Sequence, residues 1–113
     1  MKYSSLKDIV ETGVSHNPEI KKKVLIANGQ VPHLTQLAKT ILAAGQVAGS
    51  HIHQDMYEIF LAENGTGEII VNDNKYSLIP GACVTIDPGE KHEITNTGKN
   101  DLVLTIIGMN LHG

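Results

Sequence analysis

Two histidines one residue apart, His51 and His53, stand in the stretch GSHIHQDMYEIFLAENG at residues 49–65, and Glu58 follows five residues after the second. The chain holds six histidines in 113 residues, so their pairing asks for a chemical reason. Along a β-strand, side chains at i and i+2 point to the same face, and His51 and His53 therefore project together. His92, like them, lies beside a turn signal at the end of a strand-like run. A chain running straight from His53 to Glu58 would put the carboxylate on the opposite face, because an odd offset flips the face. A bend at Gln54-Asp55 restores it to the inner face. With that bend, three imidazoles and one carboxylate can converge. Neutral imidazole suits Zn, Cu, Fe and Ni, and a carboxylate extends the range to Mn. Four protein ligands leave room for further coordination in a five- or six-coordinate site, and an open position separates a catalytic metal from a structural one. A solvent-facing strand edge would give the same histidine spacing with no metal, so the surrounding elements must decide. His16, His33 and His112 sit in weaker contexts, although His33, after Pro32, could reach the rim of such a site.

Those elements are short and β-branched. Seven runs read as strands: 23–27, 35–42, 57–63, 67–72, 83–87, 92–96 and 102–109. Gly, Asn and Pro signals separate them, among them Asn28-Gly29, Ala44-Gly45, Asn64-Gly65, Pro80-Gly81, Pro88-Gly89 and Thr97-Gly98-Lys99-Asn100. Strands at this spacing predict an all-β sandwich or barrel. The stretch VNDNKY at 71–76 predicts a tight hairpin, with Asp73 and Asn74 tolerating the turn conformations. Near the N-terminus, SSLKDIVE fits either a single helical turn with Ser5 as N-cap or an edge strand. Without internal repeat, low-complexity tract or linker, one domain is expected: residues 1–33 as a strand or arm packed on a barrel formed by 34–113.

Composition narrows the partners. Nine basic against twelve acidic residues give a net charge of −3, which excludes the basic footprint of a nucleic-acid binder. Lys21-Lys22-Lys23 reads as a solvated stretch flanking a strand rather than a phosphate-binding patch. The single cysteine, Cys83, allows no intrachain disulfide and sits in the apolar run ACVTI, where a small buried hydrophobe is expected. No apolar run approaches the roughly 20 residues of a membrane span, and no signal-peptide pattern opens the chain. A cytoplasmic protein that contacts neither membrane nor nucleic acid is expected.

Two longer patterns resemble the motifs of the cupin family. The first resembles Gly, five residues, His-x-His, three or four residues, Glu, six residues, Gly, which runs here from Gly45 through His51, His53 and Glu58 to Gly65. The second runs from Gly81 through Asp87-Pro88-Gly89 and His92 to Asn96, with Asp87 standing where the first proline is usual. Together they span 45–65 and 81–96. The resemblance implies a single-domain jelly-roll β-barrel holding a divalent transition metal, Mn, Fe, Ni, Cu or Zn, through His51, His53, Glu58 and His92. These are the residues selected by the strand argument.

Further expectations follow from strand parity. Phe60 and Ala62 should line the barrel beside Glu58, with Val84 and Ile86 completing a small apolar lining, while Ile59 and Leu61 pack outside. An apolar outer face on so small a barrel suggests a homodimer, as the resemblance also implies. Tyr57, with Met56 at the mouth of the site, suits an interface aromatic or a substrate contact. Asn96, on the face of His92 and Ile94, could bond backbone, support a ligand or merely end a strand. The expected function is binding of a small oxygenated organic substrate at the metal's open position, in oxygenase, isomerase or lyase chemistry. Glu58 would then double as a proton acceptor. A non-catalytic metal or small-ligand binding module is the alternative.

Overall fold

Alternation builds this protein. In the computed structural model, which describes residues 1–14 and 17–111, the β-branched runs become strands with one buried and one open face. His16 and His112 lie outside the described residues. Ten strands are described: β1 (Thr12–Val14), β2 (Asn17–Ile26), β3 (Leu34–Leu42), β4 (Val47–His51), β5 (Met56–Asn64), β6 (Gly67–Val71), β7 (Asn74–Leu78), β8 (Cys83–Ile86), β9 (His92–Thr95) and β10 (Leu102–Asn110). A 3-10 turn at Leu6–Asp8 settles the N-terminal alternative in favour of the helical turn.

The strands form two antiparallel sheets, ordered β1-β2-β3-β10-β5-β8 and β4-β9-β6-β7. Each turns one face inward: Ala38, Thr40 and Leu42 from β3, Leu102, Leu104 and Ile106 from β10, Ile69 and Val71 from β6, and Ile94 from β9 are buried. This is the all-β jelly-roll arrangement, two sheets facing each other around one core and left open at their edges. Residues 1–33 supply the 3-10 turn and the two strands β1 and β2 that extend the larger sheet beyond β3. No helix among the described residues is long and apolar enough to cross a membrane.

Two local features bear on the site. The β6–β7 hairpin turns on Asn72 and Asp73, both at positive φ (48° and 71°), as a primed two-residue turn requires. The turn is thus one residue earlier than expected, and Asn74 opens β7. Asn72 Oδ1 then accepts from the Lys91 backbone N–H at 3.1 Å, which ties the hairpin to the residue before His92. At Gly65, φ is +82° and an added Cβ would lie 2.2 Å from the Asp101 carbonyl oxygen, so only glycine fits at the end of β5.

Cys83 departs from expectation. It is exposed, because β8 is the edge strand of the larger sheet and residue 83 takes the outward parity opposite Leu61. An apolar neighbourhood in sequence did not become burial, since Val84 and Ile86 point the other way, toward the core.

Candidate metal centre

His51, His53, Glu58 and His92 come together between the two sheets. His51 ends β4 and pairs across the smaller sheet with His92, the first residue of β9, while Glu58 lies on β5 of the larger sheet. His53 sits in the 52–55 segment that joins the sheets, which bends at Gln54-Asp55. That bend brings Glu58 to the inner face. The segment is pinned at both ends: the Gly89 N–H donates to the His53 carbonyl at 2.7 Å, and the Leu111 N–H donates to that of Asp55 at 2.9 Å.

A second parity correction lies within β4. Ala48 and His51 both line the cavity although an offset of three places residues on opposite faces of a regular strand. A bulge between them, where Ala48 pairs with Ile94 and His51 with His92, supplies the missing half-step. Gly49 sits in this bulge, where an added Cβ would lie 2.6 Å from the Glu93 side chain.

The turn before His92 absorbs the displaced proline. Asp87-Pro88-Gly89-Glu90 closes through the Glu90 N–H to the Asp87 carbonyl at 3.2 Å, with Gly89 at φ +86°. Proline at the second position and a positive-φ glycine at the third suit a type II turn. Glu90 Oε1 also accepts from the Asp87 N–H at 2.7 Å. The departure from the family pattern therefore leaves the approach to His92 intact.

The ring centroids of His51 and His92 lie 4.2 Å apart, those of His51 and His53 4.8 Å, and those of His53 and His92 5.6 Å. Glu58 Oε1 is 3.1 Å from His92 Nε2 and 3.5 Å from His53 Nε2. One donor atom from each of the four residues falls within 4.8 Å of all the others. At metal–ligand distances of about 2.0–2.2 Å, donors on opposite sides of an ion lie about 4.3 Å apart. The observed span therefore closes onto a single ion with side-chain shifts of a few tenths of an ångström.

The hydrogen bonding argues the same way. His92 Nδ1 lies 3.1 Å from the Glu90 carbonyl oxygen, which can only accept, so Nδ1–H donates. That leaves Nε2 facing a carboxylate oxygen at 3.1 Å, a pair that a shared proton bridges as a hydrogen bond. The space between two such acceptors favours a positive centre, a proton or a metal ion. Holding a ligating histidine by its other ring nitrogen is the usual support for metal ligation. Burial raises the Glu58 pKa, but the His92 hydrogen bond and the charges of His53, His92 and His51 together outweigh it, so the net direction is down. Glu58 is thus a carboxylate ready to ligate at neutral pH.

The cavity onto which His51, His53 and Glu58 open measures about 130 Å³, with His92 buried behind them. Phe60 lines it as expected, but Ala62, Val84 and Ile86 pack in the core behind it. The rest of the apolar wall comes from Val14, Ile20, Leu42, Ala48, Ile94, Leu104 and Ile106. Lys22 and Gln36 line it too, and sequence reasoning missed both. The available signal was the two-residue step from Ile20 to Lys22.

The remaining candidates lie elsewhere. Tyr57 takes the outward parity of β5, and neither it nor Met56 lines the cavity. His33 is an exposed turn residue at φ 70° whose carbonyl accepts from the Asn110 N–H at 2.7 Å, and it does not reach the rim. Asn96 is buried and does not support a ligand. Its Nδ2 donates to the Leu42 and Asn100 carbonyls at 2.8 Å each, and its Oδ1 accepts from the Gly98 N–H at 2.9 Å. Of its three possible roles, the bond to backbone is the one found.

Residues 38–108 match the family model described as the cupin domain. Among curated proteins, none matches the chain. Among solved structures, the chain is similar to a predicted oxalate decarboxylase from Thermotoga maritima at 23% identity and a TM-score of 0.89, over 97% of this chain and 100% of that one. It is also similar to a sugar phosphate isomerase of the cupin superfamily from Silicibacter pomeroyi (14% identity, TM-score 0.81, 96% and 75% covered). A third likeness is to the polyketide cyclase RemF from Streptomyces resistomycificus (18% identity, TM-score 0.80, 97% and 79% covered). At these identities the likenesses establish the fold.

Proposed function

The chain belongs to the cupin family, and from that premise we propose that it is a metal-dependent enzyme acting on a small oxygenated organic substrate. The observation that carries this reading is the convergence of His51, His53, Glu58 and His92, the first three of which open onto a mostly apolar cavity. A bound Mn, Fe, Ni, Cu or Zn ion would supply Lewis-acid polarisation of a substrate oxygen, and redox chemistry for all but zinc. The three imidazoles and the carboxylate would hold the ion. Phe60 and the aliphatic wall limit water in the cavity and select a compact substrate. Glu58, ionised and buried, is the group able to accept a proton at its Oε1. The similar structures are named for decarboxylation, cyclisation and isomerisation, and this diversity supports the lyase or isomerase classes alongside oxygenation without selecting one.

The test is reconstitution. The protein loaded separately with each of the five metals is assayed for O₂ uptake, CO₂ release and isomerisation across small hydroxy and keto compounds, with the His53→Ala variant as blank. Turnover that follows the metal and vanishes in the variant is expected. Equal turnover in the variant contradicts the reading, and a fully loaded but inert protein leaves the non-catalytic binding module.

Acid should release the metal. Protons compete for the imidazole nitrogens, whose ordinary pKa is about 6.5, while Glu58 stays ionised to lower pH. Below that pKa each ligating imidazole weakens binding by about tenfold per pH unit. Metal content after dialysis should therefore hold at pH 7.5 and be lost by about pH 5. Retention near pH 4.5 would contradict histidine ligation.

The protein is further proposed to act as a cytoplasmic homodimer, in keeping with its lone cysteine. The outer face of the larger sheet carries Leu37, Ile107 and Ile59 in one row across β3, β10 and β5, flanked by exposed Ile41, Tyr57 and Leu61. A second copy laid on this face would cover a surface that monomers seldom leave open. Light scattering should give about twice the 12.2 kDa chain mass, and Leu61→Glu about the chain mass itself. A monomeric wild-type protein would overturn the assignment.

A further inference from the structure

Lys22 lies in the only run of three lysines in the chain, where solvent exposure is the ordinary fate. The strand period decides otherwise. Ile20, two residues before it on β2, is 1% exposed, and Lys22 pairs with Thr40, a buried inward residue of β3. Lys22 is half-buried and lines the metal cavity together with Gln36. It also borders an outer groove with Lys21 and Lys23. Its ammonium is turned inward by Nζ donating to Gln36 Oε1 at 3.1 Å, since Gln36 shares the inner parity of β3 with Thr40 and Leu42.

The surroundings of this ammonium point to a ligand. Its partner in the protein is a neutral amide oxygen, and the ion pairs among the described residues do not include it. An ammonium has three donors, and Gln36 takes one. Glu58, the carboxylate lining the same cavity, is engaged by His53 and His92. Withdrawing a cation from water without a counter-charge is costly, so a half-buried ammonium on an apolar wall is a place where an anion gains affinity. Thr40 does not compete for one, because its Oγ1 donates to the Lys21 carbonyl at 2.9 Å.

We propose that Lys22, oriented by Gln36, is an anion-binding subsite of the cavity, and that the substrate is a small organic acid whose carboxylate pairs with Lys22 while another oxygen faces His51, His53 and Glu58. The inference rests on the metal reading above and narrows its substrate class. Charge on both the metal and the ammonium then fixes which end of the molecule meets which wall. The aliphatic residues between them accept the carbon chain.

Matched pairs of acids test it. Zinc-loaded protein is titrated calorimetrically with succinate against butyrate, and with glutarate against valerate; each pair differs only in the second carboxylate. The diacid should bind at least about tenfold more tightly, an advantage of about 1.4 kcal/mol. Lys22→Met should abolish that advantage, Lys22→Arg should keep part of it, and zinc stoichiometry, measured on the same samples, should stay unchanged in both. A diacid advantage that survives Lys22→Met, or its absence in the wild-type protein at full zinc loading, overturns the subsite and leaves the metal reading standing. Protein that takes up no zinc overturns the metal reading and this inference with it. A folding defect in Lys22→Met is recognised by thermal melting, and Lys22→Gln then replaces it in the same comparison.

Discussion

Replacing His53 with alanine removes the metal and leaves the fold standing. His53 is a loop residue whose side chain is 29% exposed, and its backbone contributes the carbonyl that accepts from Gly89. That bond survives the substitution. The half-buried ring of His53 also meets Glu58 at 3.5 Å and the rings of His51 and His92, so a loss of about 1 kcal/mol is expected, well short of unfolding. Metal binding, by contrast, loses one of four ligands. Changing residues that merely support a ligand costs about 10–100-fold in affinity, so removing a ligand should exceed about 100-fold. Elemental analysis after dialysis should fall from about one ion per chain to a small fraction, with the metal-free variant melting within about 5 °C of the metal-free parent. Unchanged occupancy would remove His53 from the ligand set. His92→Ala should lose the metal as completely but also destabilise the fold, since His92 is 1% exposed and packs against Phe60.

The second large effect lies away from the metal. Asn96→Ala should destabilise the metal-free protein by about 3 kcal/mol, because one buried and two part-buried bonds are lost together and each polar group left unsatisfied costs about 1–3 kcal/mol before relaxation. For a chain of this size that is a fall in melting temperature of about 10–15 °C. Asn96 is 2% exposed and joins the end of β3, the turn after β9 and the segment leading into β10. Metal affinity of the folded variant should stay close to that of the parent, since none of these bonds touches a ligand. A melting temperature within about 2 °C of the parent would return Asn96 to the role of an ordinary strand-ending residue.

What could be read in advance was local, and what could not was long-range. β5 shows the first kind: Glu58, Phe60 and Ala62 are buried and Tyr57 and Leu61 exposed, as the two-residue period demands. The grouping of His51, His53, Glu58 and His92 was legible for the same reason, because their spacing is set within short segments and by one bend. β2 shows the second kind. Its predicted extent began at Lys23, yet the strand starts at Asn17 and its most buried residue is Ile20. Pairing with β3, far along the chain, decides that burial, and the same pairing turns Lys22 inward. The bulge between Ala48 and His51 was equally invisible, because a half-step in parity is defined only against the partner strand β9. Cys83 was misjudged because edge position belongs to the sheet order rather than to the residues flanking it. Ala62, Val84 and Ile86 were correctly apolar and inward, but strands β2, β3 and β10 close over the cavity in their place.

One measurement addresses the central claim without intermediaries: anomalous scattering from crystals of the protein equilibrated with Zn²⁺ or Mn²⁺ and then washed. A single strong peak is predicted per chain, about 2.0–2.3 Å from a ring nitrogen of each of His51, His53 and His92 and from a carboxylate oxygen of Glu58. At least one further position around it should be held by water or a small anion. No peak at those four residues, or a peak bound elsewhere while they remain in contact only with each other, would contradict the account.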